Sequence, residues 1–217
     1  MGDLFNNPLF VIELCGGFLG MCIGPIFTAL IFYFWYSVNF KKANGWKEFS
    51  NKYGFSYTSP NPLLREYGSM SGKFEGREVS IFSKSINRSP AITIVKLKVG
   101  NTGNFFLSVG EKGMFGNFYR TTGGSDVPVE KDFDEKLSTN SNSPELATII
   151  LHADAGLLAE IKTLMPLELL VRDNSTSIST RGNYADETQL LRLIRLVLRF
   201  ATILEENLRQ ADLLCKR

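Results

Sequence analysis

The chain has 217 residues, 44% of them apolar, with 24 Lys and Arg against 22 Asp and Glu and a formal charge of +2. That length suits one domain with its own core plus an appendage. Three cysteines provide no disulfide framework, and the near-neutral balance argues against a nucleic-acid surface.

The first predicted element is an uncharged apolar run, Leu14 to Val38, followed at once by Lys41 and Lys42. At ~1.5 Å per residue it reaches roughly 37 Å as a helix, enough to cross a ~30 Å hydrocarbon core. A cleaved signal peptide would need an N-terminal basic residue and a shorter apolar core. A core helix would show a polar face. Phe32, Tyr33, Phe34, Trp35 and Tyr36 suit the interfacial level. Pro8 suits a first helical turn. A transmembrane helix is therefore expected over residues 8–40, with 1–7 as a short external tail. Lys41, Lys42, Lys47 and Lys52 all follow the span, and no Lys or Arg precedes it. The positive-inside rule then places the N-terminus outside and residues 44–214 in the cytoplasm, at the inner membrane. Gly16, Gly20 and Gly24, at four-residue spacing, form a face for helix–helix contact, although Gly is also common in membrane helices generally. All 24 Lys and Arg follow Val38, while only Asp3 and Glu13 of the 22 acidic residues precede it, so the remainder is mildly basic.

Beyond the span, Asn44 to Tyr53 reads as a short amphipathic helix closed by Gly54, with Trp46, Phe49 and Tyr53 on one docking face. Ser56 to Tyr67, with Pro60 and Pro62, reads as a loop. Met70–Phe74 and Arg77–Lys84 flank Glu75-Gly76 as a hairpin. Ala91–Val99 and the alternating Phe105, Leu107 and Val109 complete four antiparallel strands with one buried face. Residues 111–131 read as irregular and Phe133–Thr139 as a strand. A helix capped by Ser143 or Asn142 runs to about Leu164, with a break near 153–156. Leu167–Arg172 and Ser175–Thr180 make a second hairpin about Asp173-Asn174. The chain closes in a helix from about Tyr184 to Leu214, capped by Asn183. Its residues Leu190, Ile194, Val197, Ala201, Leu204 and Leu208 repeat at 4-3-4-3-4 spacing. Further leucines widen that stripe, so the helix should pack across the sheet.

No catalytic signature emerges. His152 is the single histidine, and Asp154 two residues on points elsewhere on a helix. Asp132, Asp134 and Glu135 lack the regular ligand pattern of a calcium loop. The segment Gly68 to Lys73 lacks the spacer and following helix of a phosphate loop. Two interaction candidates remain. One is the loop bearing Met114, Phe115, Phe118, Tyr119 and Arg120, where large side chains between glycines mark either a binding edge or a cap on the sheet. The other is Arg192, Arg195 and Arg199, a basic stripe suited to lipid phosphate or an acidic partner, or simply a solvated face.

The run Ser71 to Val79, with its G-x-x-x-G-R-x-V pattern, and Asp132-Phe133-Asp134 before a helical stretch and hairpin resemble a pattern in bacterial single-pass membrane-anchored proteins of no established activity. The resemblance implies that Gly72 and Gly76 serve a hairpin bend and Phe133 a core anchor. It transfers no site. The expected fold class is α+β: one N-terminal transmembrane helix, then a mainly antiparallel sheet packed against a long C-terminal helix. The expected function is a non-catalytic accessory or scaffold subunit of a membrane complex, without cofactor or metal. Its expected partners are the lipid bilayer and other membrane subunits or a second copy. The alternative is a membrane-tethered ligand- or lipid-binding regulatory domain.

Overall fold

The structure, a computed structural model, describes residues 26–30, 33, 44–59, 68–84, 92–100, 102–112, 124–164, 168–182, 184 and 186–215. Contacts divide the chain into two compact units, Met1–Lys42 and Ala43–Arg217. In the first unit, residues 26–30 and 33 are helical, and Ile26, Phe27, Leu30 and Tyr33 expose most of their surface. Among the described residues no helix is long and apolar enough to cross a membrane. Most of the run 14–38, including the face of Gly16, Gly20 and Gly24, lies outside them.

The second unit opens with helix α1 (44–53), which ends at Gly54 with φ +71°, a left-handed stop that glycine adopts without strain. The strands are β1 (Ser56–Thr58), β2 (Ser69–Phe74), β3 (Arg77–Lys84), β4 (Ile92–Lys98), β5 (Leu107–Glu111), β6 (Ser125–Asp126), β7 (Leu137–Ser141), β8 (Glu168–Arg172) and β9 (Ser175–Arg181). The later helices are α2 (Lys131–Asp134), α3 (Pro144–His152), α4 (Ala155–Leu164) and α5 (Glu187–Cys215). Among the described residues nine strands form one sheet, in the order β1-β2-β3-β4-β9-β8-β5-β7-β6. Every pairing is antiparallel. Both ends of the sheet are very short strands, which limits the unpaired edge offered to another chain.

The α+β class, the antiparallel sheet and the long C-terminal helix agree with the sequence. Both hairpins turn where expected. Phe74 pairs with Arg77 and Arg172 with Ser175, leaving Glu75-Gly76 and Asp173-Asn174 as two-residue turns with positive φ throughout. This is the backbone that matches strand twist.

Strand order departs from expectation. β4 and β5 are not neighbours, because hairpin β8–β9 lies between them. The connection between β4 and β5 instead passes over the tip of that hairpin. Val99 donates its N–H to Asn174 O at 3.1 Å, and both the Thr102 amide and hydroxyl donate to Asn174 Oδ1 at 2.9 Å. Three strand spacings amount to about 14 Å, well within the reach of an eight-residue link.

Other boundaries also differ. Residues 56–58, expected in a loop, pair with β2. Residues 125–126, expected to be irregular, pair with β7. Phe133, expected in a strand, sits fully buried in the single turn of α2, and the strand begins at Leu137. Ser143 occupies the N-cap of α3, as expected, and its carbonyl accepts the Ala147 N–H at 3.0 Å. Ser143 makes no side-chain cap bond there. Asn142 accepts the Phe106 N–H and donates to Asn104 O, tying the approach to β5. The break between α3 and α4 is real, and Asp154 closes it by accepting the N–H groups of Gly156 and Leu157. Asn183 lies outside the described residues; Asp186 accepts the Gln189 N–H and caps α5.

The core lies between one sheet face and the helices. Val79, Ile81, Val95, Leu97, Leu107, Val109, Leu169, Val171 and Ile178 supply the sheet side. Leu190, Ile194, Val197, Ala201 and Leu204 are all buried along α5, which packs on β4 and β9. α1 joins the same core through Trp46 and Phe49, and Trp46 donates its indole N–H to Tyr184 O. Lys52 and Tyr53 both bond Glu187 at 2.7 Å, fixing α1 to the start of α5.

Gly72 sits inside β2, not at the bend. A Cβ there would lie 3.0 Å from both Cα and Cγ of Phe55. Phe55 Cα is backbone and cannot turn aside, so Gly72→Ala should destabilise by about 1–3 kcal/mol through overpacking. A lowered urea midpoint with an unchanged slope checks this.

Candidate interaction surfaces

Strand alternation sends the side chains opposite the core onto a second sheet face. Two rows cross its β2–β3–β4–β9–β8 half. Ser71, Ser80, Lys96, Ser177 and Leu170 are successive register partners. In the adjacent row Lys73 opposes Glu78, Lys98 opposes Ser175, and Ser175 opposes Arg172. Lys98 Nζ lies 2.8 Å from Glu78 Oε2. That contact and the Lys98 charge hold the Glu78 carboxyl below its ordinary range, and the carboxylate raises Lys98 in turn. Both groups are solvated, so the pair adds little stability. Ser71, Lys73, Glu78, Ser80, Lys96 and Lys98 are all exposed. Among the described residues no ion pair involves Lys73 or Lys96. Farther along the same face Ile92 and Ile94 are buried, although they do not belong to the main core cluster. Ser108 and Asn140 are buried on its β5–β7 side.

The Arg192, Arg195 and Arg199 stripe has a different fate. Arg192 Nε donates to Glu160 Oε1 at 3.1 Å. Arg199 donates to both Asp154 oxygens at 2.6 Å. The Arg199 bonds lower the Asp154 carboxyl, outweighing the opposing effect of burial, and the Leu157 and Gly156 amides add to the lowering. Two of the three cations therefore tie α5 to α4 and its cap. Arg195 is exposed and, among the described residues, has no ion-pair partner. As a stripe for lipid phosphate it is reduced to one unneutralised charge. The loop bearing Met114, Phe115, Phe118, Tyr119 and Arg120 lies outside the described residues.

Of the titratable groups weighed for chemistry, His152, Asp132, Asp134 and Asp154 have structural partners. His152 is exposed and donates from Nδ1 to Thr148 O, one helical turn back, at 2.9 Å. Asp134 accepts the Val129 N–H, and Asp132 meets Lys162 at 3.4 Å. Among the described residues no three His, Cys, Asp or Glu side chains group to hold a metal ion. The sequence does not single out the second sheet face, although alternation along β4 puts Lys96 and Lys98 opposite Val95 and Leu97. Its breadth depends on which strands lie beside β4.

No protein-family model matches the chain, and no curated protein matches it. Among solved structures it is similar in fold to the crystal structure of the mycobacterial trehalose monomycolate transport factor A, TtfA. The TM-score is 0.54 at 17% sequence identity, and the match covers 75% of this chain and 94% of that one.

Proposed function

We propose that this protein is a membrane-anchored, non-catalytic accessory factor of a membrane complex that handles lipid. The carrying observation is the fold likeness to a trehalose monomycolate transport factor over 94% of that chain. The lysine-flanked run Leu14–Val38 supports the anchor, as do the exposed apolar side chains of Ile26, Phe27 and Leu30. In this reading the N-terminus is external and the α+β unit cytoplasmic. The partners are bilayer lipid and other membrane subunits or a second copy, met through Gly16, Gly20 and Gly24. The same proposal includes membership among the bacterial anchored proteins that share the G-x-x-x-G-R-x-V hairpin and F-D motif.

Purification of the full chain in mild detergent tests the complex and should recover stoichiometric membrane partners or a defined oligomer. Monomers consistently free of partners would refute it. Thiol labelling of Cys215 tests topology: reaction with an impermeant reagent from outside the cell would reverse the orientation.

A further inference from the structure

We infer that the open end of the second sheet face, centred on Lys73, Lys96 and Lys98, docks on anionic lipid headgroups of the membrane leaflet on its own side of the anchor. The inference deepens the membrane-anchored reading and rests on it.

Charge complementarity selects the occupant. Lys73 and Lys98 flank β3 at about two strand spacings, ~10 Å, and Lys96 stands about 7 Å along β4 from Lys98. Glu78 is the one carboxylate set among them in these rows, and Lys98 already engages it. Ser80 stands on β3 between the lysine-bearing strands, and Ser71 and Ser177 flank the same row, short hydroxyls that leave the face low and can donate to phosphate oxygens.

Two features favour a membrane over a protein partner. Protein interfaces are depleted in lysine and centre on buried aromatic or apolar anchors. Here the apolar residues of the face are already withdrawn, with Ile92 and Ile94 buried and Phe82 half-buried. Lysine is also a mobile point charge on a flexible stem, suited to a fluid array of phosphates and less to one fixed bidentate ligand. The helix side of the same unit offers less, because Arg192 and Arg199 are held by Glu160 and Asp154.

The test uses the full chain reconstituted into vesicles of phosphatidylcholine, with and without phosphatidylglycerol. A membrane-impermeant amine reagent is applied and each lysine is read by mass spectrometry. Lys73 and Lys96 should react several-fold more slowly in the anionic vesicles and recover at high salt, as screening requires. Lys162, which pairs with Asp132, is the internal reference and should not change. Equal reactivity of Lys73 and Lys96 in both lipids overturns the inference while leaving the anchor intact. Protection that ignores lipid charge and appears only with added membrane-protein extract overturns it in favour of a protein contact. A chain that stays in the aqueous phase during reconstitution overturns the anchored reading and this inference together.

Discussion

Phe200→Ala is expected to lower the unfolding free energy by about 3–5 kcal/mol, the range for deleting a large buried aromatic side chain. Phe200 is fully buried on α5, between seam residues Val197 and Ala201. The ring is lost among residues of α5 held by the sheet on one side and by α3 and α4 on the other, so collapse into the cavity is restricted. Urea unfolding followed by near-ultraviolet circular dichroism, with the full chain in mild detergent, measures the loss. A cost under about 1 kcal/mol would mean that the helix layer packs loosely, contrary to interior packing of native density.

Glu205→Ala is expected to cost about 1.5–3 kcal/mol, the range for hydrogen bonds to a charged group. The lower half of that range applies, because water reaches 30% of each side chain in the Arg77–Glu205 pair. The Arg77 guanidinium donates to both carboxylate oxygens, at 3.0 and 2.7 Å, and the Gly100 N–H donates to Oε1 at 2.8 Å. One carboxylate on α5 thereby holds the start of β3 and the exit of β4. Burial pushes the Glu205 carboxyl upward, but Arg77 and the Gly100 amide together outweigh it and leave the net value lowered. A lowered folded value stabilises the native state above the unfolded value, and the gain is lost as pH falls through the folded one. Glu205→Gln should therefore be less stable than the parent at neutral pH, with the difference closing in acid below the ordinary glutamate value of 4.5. A difference that stayed constant with pH would remove the ionised carboxylate from the explanation. The Arg77→Ala and Glu205→Ala double-mutant cycle isolates the pair itself.

The candidate surfaces show where sequence reading reaches its limit. Spacing of three and four residues puts Arg192, Arg195 and Arg199 on one stripe of a helix, where all three are exposed. Their availability was not legible, because Glu160 and Asp154 come from another part of the chain. Strand alternation turns Lys96 and Lys98 away from the buried Val95 and Leu97. Lys73 joins them because β2 reaches β4 through β3, with Ser80 between Ser71 and Lys96. Gly72 shows the same limit on a smaller scale. Its place beside the hairpin suggests a bend, whereas Phe55, just before β1, lies so close that an added Cβ would meet its Cα at 3.0 Å.

What the sequence determined by itself is local. Alternation and turn chemistry set the hairpins at Glu75-Gly76 and Asp173-Asn174, and the helical period set the buried stripe of α5. The lysine-flanked apolar run likewise stands on length and charge alone. Tertiary structure decided the partners. Strands β4 and β5 each carry a buried apolar face, and their hydrogen-bonding edges would serve either as neighbours or apart, so local pattern cannot rank those pairings. The insertion of β8–β9 between them follows from long-range ladders and the Thr102–Asn174 bonds, contacts whose free energy exists only once distant segments meet.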